Sequence, residues 1–131
     1  MESIAIAEAL FGAFVSGDDE RARELCAPDA QVVQNHAPPM SLDELLAFSA
    51  SVRRVMPDYH YAEVVRTATT SGFIEEHSVR GTLPGGEALR LAACVVGEVE
   101  DGRITHLREY VDSFAARGLV KALAKAASTE P

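Results

Sequence analysis

The sequence has little positive charge for its length. Its 12 lysine and arginine residues stand against 20 aspartate and glutamate residues, so the formal net charge is −8 at neutral pH. Contacts to phosphate groups need clustered lysine and arginine side chains, and an acidic chain repels a polyanion. We therefore expect no nucleic-acid partner.

Long apolar runs are also missing. The longest fall short of the roughly 20 residues that a membrane-spanning helix needs, and the first ten residues, MESIAIAEAL, carry no basic region before their apolar part. Cysteine is scarce as well, since the chain has only Cys26 and Cys94, and free cysteine commonly behaves as a small buried hydrophobe. These features predict a cytoplasmic protein with no membrane partner and no need of a disulfide.

Motifs for metals and cofactors are absent from the sequence. The four histidines show neither HxH nor HExxH spacing, there is no CxxC pair, and no glycine-rich phosphate loop occurs. We expect no metal site and no cofactor. Any chemistry would then be the acid/base chemistry of side chains.

Apolar residues at helical spacing predict helices in the first half of the chain. They recur over residues 4–16, where Ser3 is placed to cap the first turn and Gly17 can end the helix in the left-handed conformation. Asp18 can cap a second, short helix. Residues 41–44 read S-x-x-E, the capping box that opens a third helix.

Short strands dominate the second half. Residues 73–112 are segments rich in Val, Ile, Leu and Thr, and the turns Pro84-Gly85-Gly86 and Asp101-Gly102 separate them. Asp112 can cap a last helix, and the alanine-rich end KALAKAASTEP is predicted to fray. The segregation of helices from strands predicts an α+β fold, and the length of 131 residues predicts one domain, 1–131.

Three segments carry a family resemblance: EEHSVRGTLPGG, EDGRIT and LREYVD. With the order of elements, they resemble the SnoaL-like branch of the NTF2-like superfamily over about residues 4–124. The resemblance implies a cone, in which N-terminal helices pack in a curved antiparallel sheet. It also implies a pocket for a small, mostly apolar molecule such as a steroid, terpenoid or polyketide, in a superfamily that includes isomerases, hydrolases, cyclases and non-catalytic modules.

Within that superfamily, the limonene-epoxide hydrolases are similar in two places. VVQNHAPP resembles their Tyr-Gln-Asn segment and LREYVD their Arg-Asp-Tyr segment. The chain departs from their pattern at Val33 and Glu109, and their Arg-x-Asp pair is absent. The ketosteroid isomerase pattern is missing too, since Leu10 and Gln34 stand at two of its three site positions. The residues that match the hydrolases are Gln34, Asn35, Arg108 and Tyr110.

Glu109 is the acid or base that we would choose if the protein is an enzyme. Strand alternation places it on one face with Leu107 and Val111, the apolar neighbours expected of a pocket wall. Burial there would raise the pKa of the carboxyl towards neutrality, whereas a nearby Arg80 would hold it ionised as a base. Asn35 could then orient a substrate oxygen or water.

His77 and Asp112 complete the catalytic candidates. His77 would be a second donor only if a bulge turned it inward, and Asp112 could serve as the acid or base of a SnoaL-type cyclase. Each candidate also has a structural interpretation. His77 could be a hydrogen-bonded or surface residue, Asp112 a helix cap, and Arg80 part of an ion-pair ladder with Glu76 and Glu109. The choice between an acid/base isomerase, cyclase or hydrolase and a non-catalytic binding or structural module stays open.

The predicted pocket lies beside the first and third helices. Because helices cover only the inner face of the sheet, the outer face needs another cover, and we expect a homodimer that pairs through the sheets. The tyrosines among the wall candidates could equally pack the dimer face or the core. The candidate pocket walls are Leu10, Phe14, Leu46, Tyr59, Tyr61, Leu91, Leu107 and Val111.

Overall fold

The computed structural model describes residues 1–129, and within them it contains four helices and five strands. None of these helices is both long enough and apolar enough to cross a membrane. The elements in chain order are α1 (Ser3–Ser16), α2 (Asp19–Leu25), β1 (Cys26–Gln34), α3 (Leu42–Val55), β2 (His60–Ala68), β3 (Gly72–Thr82), β4 (Ala88–Glu100), β5 (Arg103–Val111) and α4 (Arg117–Thr129).

The strands form one sheet in the order β1-β5-β4-β3-β2. Pairs β2–β3, β3–β4 and β4–β5 are antiparallel, and only the edge strand β1 runs parallel to its neighbour β5. Since β1 and β5 lie at opposite ends of the chain, no tight hairpin could join them. The predicted α+β fold with a mostly antiparallel sheet is confirmed.

The inner face of the sheet packs against the helices in two apolar clusters. In the first cluster, Ile6 and Leu10 of α1 are fully buried among sheet residues such as Phe73 and Ile104. The second cluster joins α3, α4, the end of β3 and the start of β4, and Met56 is fully buried in it. Burial of each such side chain contributes about 1.5–3 kcal/mol, so the helix–sheet contact is the main source of stability.

Helix ends follow the predicted chemistry at three of the five predicted points, the exceptions being Ser3 and Asp112. Gly17 has φ 77° and donates its N–H to the carbonyl of Ala13, and the side chain of Asp18 accepts from Arg21 N–H. The capping box over residues 41–44 is formed in both directions. The prediction for Ser3 is wrong, because the helix already includes that residue and no side chain caps its first turn.

The hairpin turns also follow the sequence. Asp101 and Gly102 have φ of 50° and 78°, and Gly86 has φ 94°. Positive φ at both central residues is the type I′ geometry whose twist suits a two-residue hairpin. Strands β4 and β5 are therefore joined as predicted.

The end of the chain differs from the prediction. Residues 121–129, expected to fray, belong to α4, and Leu119 of that helix is buried against α3 and the sheet. Packing thus supplies the stability that an isolated alanine-rich end lacks. Asp112 does not cap α4 directly, because it lies at the start of the turn before the helix, where its Oδ1 accepts from Phe114 N–H at 3.0 Å. Residues 130 and 131 of the predicted tail lie outside the described residues.

Candidate functional site

A cavity of about 270 Å³ lies between α3, α4 and the inner face of the sheet. Its wall is mostly apolar, with Phe48 and Val52 on the α3 side and Val95 on the sheet side. Several polar side chains interrupt this lining. They are Gln34, Asn35, Ser49, Tyr59, Tyr61, Glu109 and Ser113.

Most of the predicted wall residues lie on this cavity, although two do not. Leu10 of α1 and Leu46 of α3 are instead buried in the first apolar cluster, where they pack with residues of the sheet. Their neighbours on the same helices, Phe14 and Leu45, line the cavity in their place. The candidates that line it are Phe14, Tyr59, Tyr61, Leu91, Leu107 and Val111.

Glu109 is the one charged side chain on the cavity wall among the described residues. It points inward with Leu107 and Val111, as strand alternation requires, and it lies opposite Val95 of β4. Gln34 of β1 donates a side-chain N–H to Glu109 Oε1. This contact crosses the parallel β1–β5 pair and directs the carboxylate within the cavity.

Asn35 lies at the cavity rim directly after β1. Its φ is 49°, and its side chain bonds the backbone of Val111 twice: Nδ2 donates to the carbonyl at 2.9 Å, and Oδ1 accepts from the N–H at 2.9 Å. Its own N–H donates to the carbonyl of Glu109. Asn35 therefore extends the β1–β5 ladder past the strand end and holds the backbone on both sides of Tyr110.

Tyr61 contributes a second phenol hydroxyl to the cavity wall, beside that of the more buried Tyr59. Burial raises the pKa of Tyr61 well above its ordinary range, and interactions with Tyr59 and the negative charges of Glu109 and Glu75 raise it further. The two tyrosine rings meet edge to face, with centroids 5.8 Å apart. The Tyr61 hydroxyl consequently stays protonated across the physiological pH range and can donate a hydrogen bond.

His77 points to the inner face without the bulge that the sequence interpretation required. Strand β3 pairs with β4 in unbroken register, and regular alternation carries Phe73, Glu75 and His77 inward. The rings of Phe11 and Tyr61 pack on the imidazole, with centroids 5.1 and 4.4 Å away. Phe11 and Tyr61 both line the cavity, so their rings lie between the cavity and His77.

A buried charge cluster holds His77 in place. Nδ1 lies 2.6 Å from Oε2 of Glu75, whose side chain is fully buried, and Arg66 of β2 donates to the other oxygen of that carboxylate. Because a carboxylate only accepts, this contact requires the proton on Nδ1, and within residues 1–129 Nε2 has no hydrogen-bond partner. Sequence reasoning missed Glu75 and Arg66. Alternation places Glu75 on one face with Phe73 and His77, but it does not show which face of β3 points inward.

The remaining catalytic candidates are not assembled with Glu109. Arg80 is on the outer face of β3, where it donates to Ser78 Oγ and forms an ion pair with Glu63. The expectation that Arg80 keeps Glu109 ionised is therefore wrong. Asp112 is exposed in the turn after β5 and does not line the cavity.

The site thus combines one carboxylate, an adjacent amide and a buried phenol in an apolar enclosure. This is a set of groups suited to proton transfer. No three histidine, cysteine or acidic side chains within residues 1–129 converge as metal ligands.

Comparison with solved structures shows the same fold in proteins of low identity. IdmH of Streptomyces antibioticus, a proposed polyketide cyclase, is 24% identical, with 92% of this chain and 99% of IdmH covered at a TM-score of 0.76. A proposed polyketide cyclase of Xanthomonas campestris pv. campestris is 20% identical, with 88% and 96% covered at 0.75. PrhC of Penicillium brasilianum is 14% identical, with 97% and 91% covered at 0.80.

Comparison with curated proteins finds no significant match. The family model of the SnoaL-like domain, however, matches residues 7–107, which is most of the chain and includes most of α1, the whole of β4 and about half of β5. The resemblance seen in the three sequence segments is thereby confirmed. The chain belongs to the SnoaL-like domain family, in the NTF2-like fold.

Proposed function

We propose that the cavity binds a small, mostly apolar molecule and that Glu109 transfers a proton within it, as in an isomerase or a cyclase. The observation that carries this proposal is the position of Glu109, a single carboxylate on an apolar wall held by Gln34. A carboxylate with few competing waters is a stronger base towards a bound substrate than the same group in water.

The proposed reaction starts from a ligand that has a carbonyl group. Glu109 removes a proton from the carbon next to the carbonyl, and the electron pair moves onto the carbonyl oxygen. The Tyr61 hydroxyl donates a hydrogen bond to that oxygen as its negative charge develops. Where a carbon–carbon double bond adjoins that carbon, return of the proton from Glu109 to the far end of the dienolate completes an isomerisation. Alternatively, attack of the enolate carbon on a second carbonyl forms a carbon–carbon bond, and transfer of the proton from Glu109 to the new alkoxide completes an aldol cyclisation.

Asn35 has a positioning role in this proposal. Both polar atoms of its side chain are engaged by Val111, so it acts on the reaction by holding the β5 backbone beside Glu109. His77 lies behind Tyr61 and supports its ring. Neither Arg80 nor Asp112 has a part in the proton transfer.

The first experiment is a thermal-shift screen with steroids, terpenoids and polyketide-like aromatics. A binder that contains a ketone is then incubated with the protein in D₂O, and exchange of the protons next to the carbonyl is followed by NMR. We expect exchange in the wild type and a loss of at least about 100-fold in Glu109→Gln. Glu20→Gln, at an exposed position of α2 away from the cavity, is the matched control and keeps the wild-type rate.

Each outcome of this screen decides between the alternatives. If Glu109→Gln binds the ketone and exchanges its protons as fast as the wild type, Glu109 is not the catalytic group. If the ligand binds but the wild type catalyses no exchange, the protein is a non-catalytic binding module. If none of the three classes binds, the structural interpretation of the cavity is favoured.

We further propose that two copies pair through the outer face of the sheet. Side chains of β3 and β4 that point outward include Ile74, Cys94 and Val96, which are only half-buried in the single chain. Ion pairs such as Arg80–Glu63 and Arg108–Glu98 flank them and could set the register of the pair. Sedimentation at micromolar concentration tests the proposal, and a monomer would contradict it.

A cytoplasmic location is the last part of the proposal. Both cysteines are free thiols, as expected in a reducing compartment, and burial raises the pKa of Cys26 to about 11. Fractionation of cells that produce the protein at its natural level would test the location.

A further inference from the structure

Residues of α4 form one side of the cavity mouth. Ala116, Leu119 and Val120 line the cavity, and Val120 is 60% exposed, so its part of the wall lies at the opening. Arg117 comes directly after Ala116 and one helical turn before Val120. Its backbone is therefore placed at the rim.

The side chain of Arg117 is held in a defined orientation. The guanidinium carbon lies 3.9 Å from the centroid of the Phe114 ring, and Nη1 donates to the Phe114 carbonyl at 2.8 Å. Phe114 is 70% exposed, and its neighbour Ser113 lines the cavity. The two contacts hold the guanidinium against Phe114, next to the cavity-lining Ser113 and Ala116, and leave most of its five N–H donors without a protein partner in the described part of the chain.

The surface around Arg117 is positive in an otherwise acidic protein. Lys121 and Lys125 follow Arg117 at intervals of one helical turn, so the three cations share one side of α4. Lys121 and Lys125 are the only lysines of the sequence, and neither forms an ion pair within residues 1–129. Arg117 follows the cavity-lining Ala116 directly, whereas Lys121 and Lys125 lie further round the helix from the lining residues. The positive charge of Arg117 attracts an anion to the opening, and the two lysines add to the positive field on that side.

Acidic groups on the same elements restrict where an anion could bind. Glu109 repels a second negative charge from the inside of the cavity, and Asp112 opens the turn that leads to α4. Asp112 directs Oδ1 at the N–H of Phe114, which offsets part of its charge. An anionic group is therefore favoured only at the Arg117 side of the mouth, with the uncharged part of the molecule inside.

We infer that the ligand of this cavity carries a carboxylate at one end, which Arg117 binds at the rim while the apolar body fills the cavity. The inference rests on the proposed function, because it specifies the chemical class of that ligand. Arg117 is a specificity-determining residue in this view. It contacts the ligand away from Glu109 and takes no part in the proton transfer.

The test compares two probes that differ only in charge, 2-anthracenecarboxylate and 2-anthracenecarboxamide, by fluorescence titration. We expect the wild type to bind the carboxylate about fivefold more tightly, as befits a charged hydrogen bond at an exposed site. In Arg117→Gln the ratio should fall to about one, with amide binding unchanged. Arg103→Gln is the matched control, since this exposed arginine lies at the opposite end of β5. It should keep the ratio of the wild type.

Two further measurements use the same ratio. Added salt should reduce it in the wild type, because exposed charge pairs are screened. Asp112→Asn, which preserves a side-chain acceptor for the turn, should increase it by removing the opposing charge.

The outcomes separate this inference from the proposed function. If the wild type binds both probes equally, or if Arg117→Gln keeps the preference for the carboxylate, the inference is overturned while the apolar cavity stands. If neither probe binds the wild type, the proposed ligand cavity fails and the role of Arg117 fails with it. A ratio that falls equally in both arginine variants would point to net charge instead of Arg117.

Discussion

Replacement of Arg66 by methionine should destabilise the protein more than replacement of its partner Glu75 by glutamine. The reason is an asymmetry of burial. The Glu75 side chain is completely buried, whereas that of Arg66 is 22% exposed and also lies 3.7 Å from the exposed Glu8. Arg66→Met leaves a buried carboxylate with His77 as its only partner. Glu75→Gln leaves an arginine that can still reach Glu8 and water.

The burial of each partner sets the magnitudes. Removing one member of a fully buried ion pair costs 3–5 kcal/mol in free energy of unfolding. The partial exposure of Arg66 places Arg66→Met at the lower end, about 3 kcal/mol. Glu75→Gln keeps the shape and an acceptor oxygen, so we expect a loss of about 1 kcal/mol, the net worth of an ordinary hydrogen bond.

Urea unfolding followed by circular dichroism measures both values, provided that the slope of the transition is the same in all variants. Arg108→Met is the control, since Arg108 and its partner Glu98 are 39% and 38% exposed, and it should cost at most about 1 kcal/mol. A loss in Glu75→Gln equal to or larger than that in Arg66→Met would refute the argument from burial.

Two predictions concern packing and thiol reactivity. Gly97→Ala should lower the free energy of unfolding by about 1–3 kcal/mol through overpacking. The reason is that a Cβ at residue 97 would lie 2.3 Å from the fully buried Phe73 ring. A melting temperature equal to that of the wild type would contradict this prediction. Cys26 should resist iodoacetamide at pH 8 until the protein unfolds, and mass spectrometry of labelled peptides before and after unfolding in urea checks this; labelling of Cys26 in the folded protein would contradict it. Since burial raises the Cys26 pKa from 9.0 to about 11, the thiol's stabilising contribution is complete below pH 9 and is lost as pH rises towards 11.

Local sequence signals were sufficient for the fold class and for part of the site. The capping box at 41–44, the αL stop at Gly17 and the Asp101-Gly102 turn each depend on a few neighbouring residues. Such features specify element ends before any tertiary contact exists. Strand alternation likewise placed Glu109 inward, because Leu107 and Val111 on the same face are strongly apolar.

Only the tertiary structure decided the orientation of β3 and the positions of the helices. In β3, polar side chains occur on both faces, so the sequence could not show that Glu75 and His77 point inward and Arg80 outward. That choice depends on Phe11 of α1, which packs on the imidazole, and on Arg66 of β2, which pairs with the buried carboxylate. These contacts join segments far apart in the chain.

Contacts between distant segments also decided which residues of α1 and α3 line the cavity. Periodicity identified an apolar face on α1 and on α3, but a face spans several residues. The docking angle on the sheet determined that Phe14 lines the cavity while Leu10 lies in the core. The alanine-rich end was expected to fray because its helix has little intrinsic stability. The local pattern predicted a last helix, but only the tertiary structure shows that Leu119 is buried against α3 and the sheet, that the helix continues to residue 129, and that Arg117 lies beside the cavity-lining Ala116.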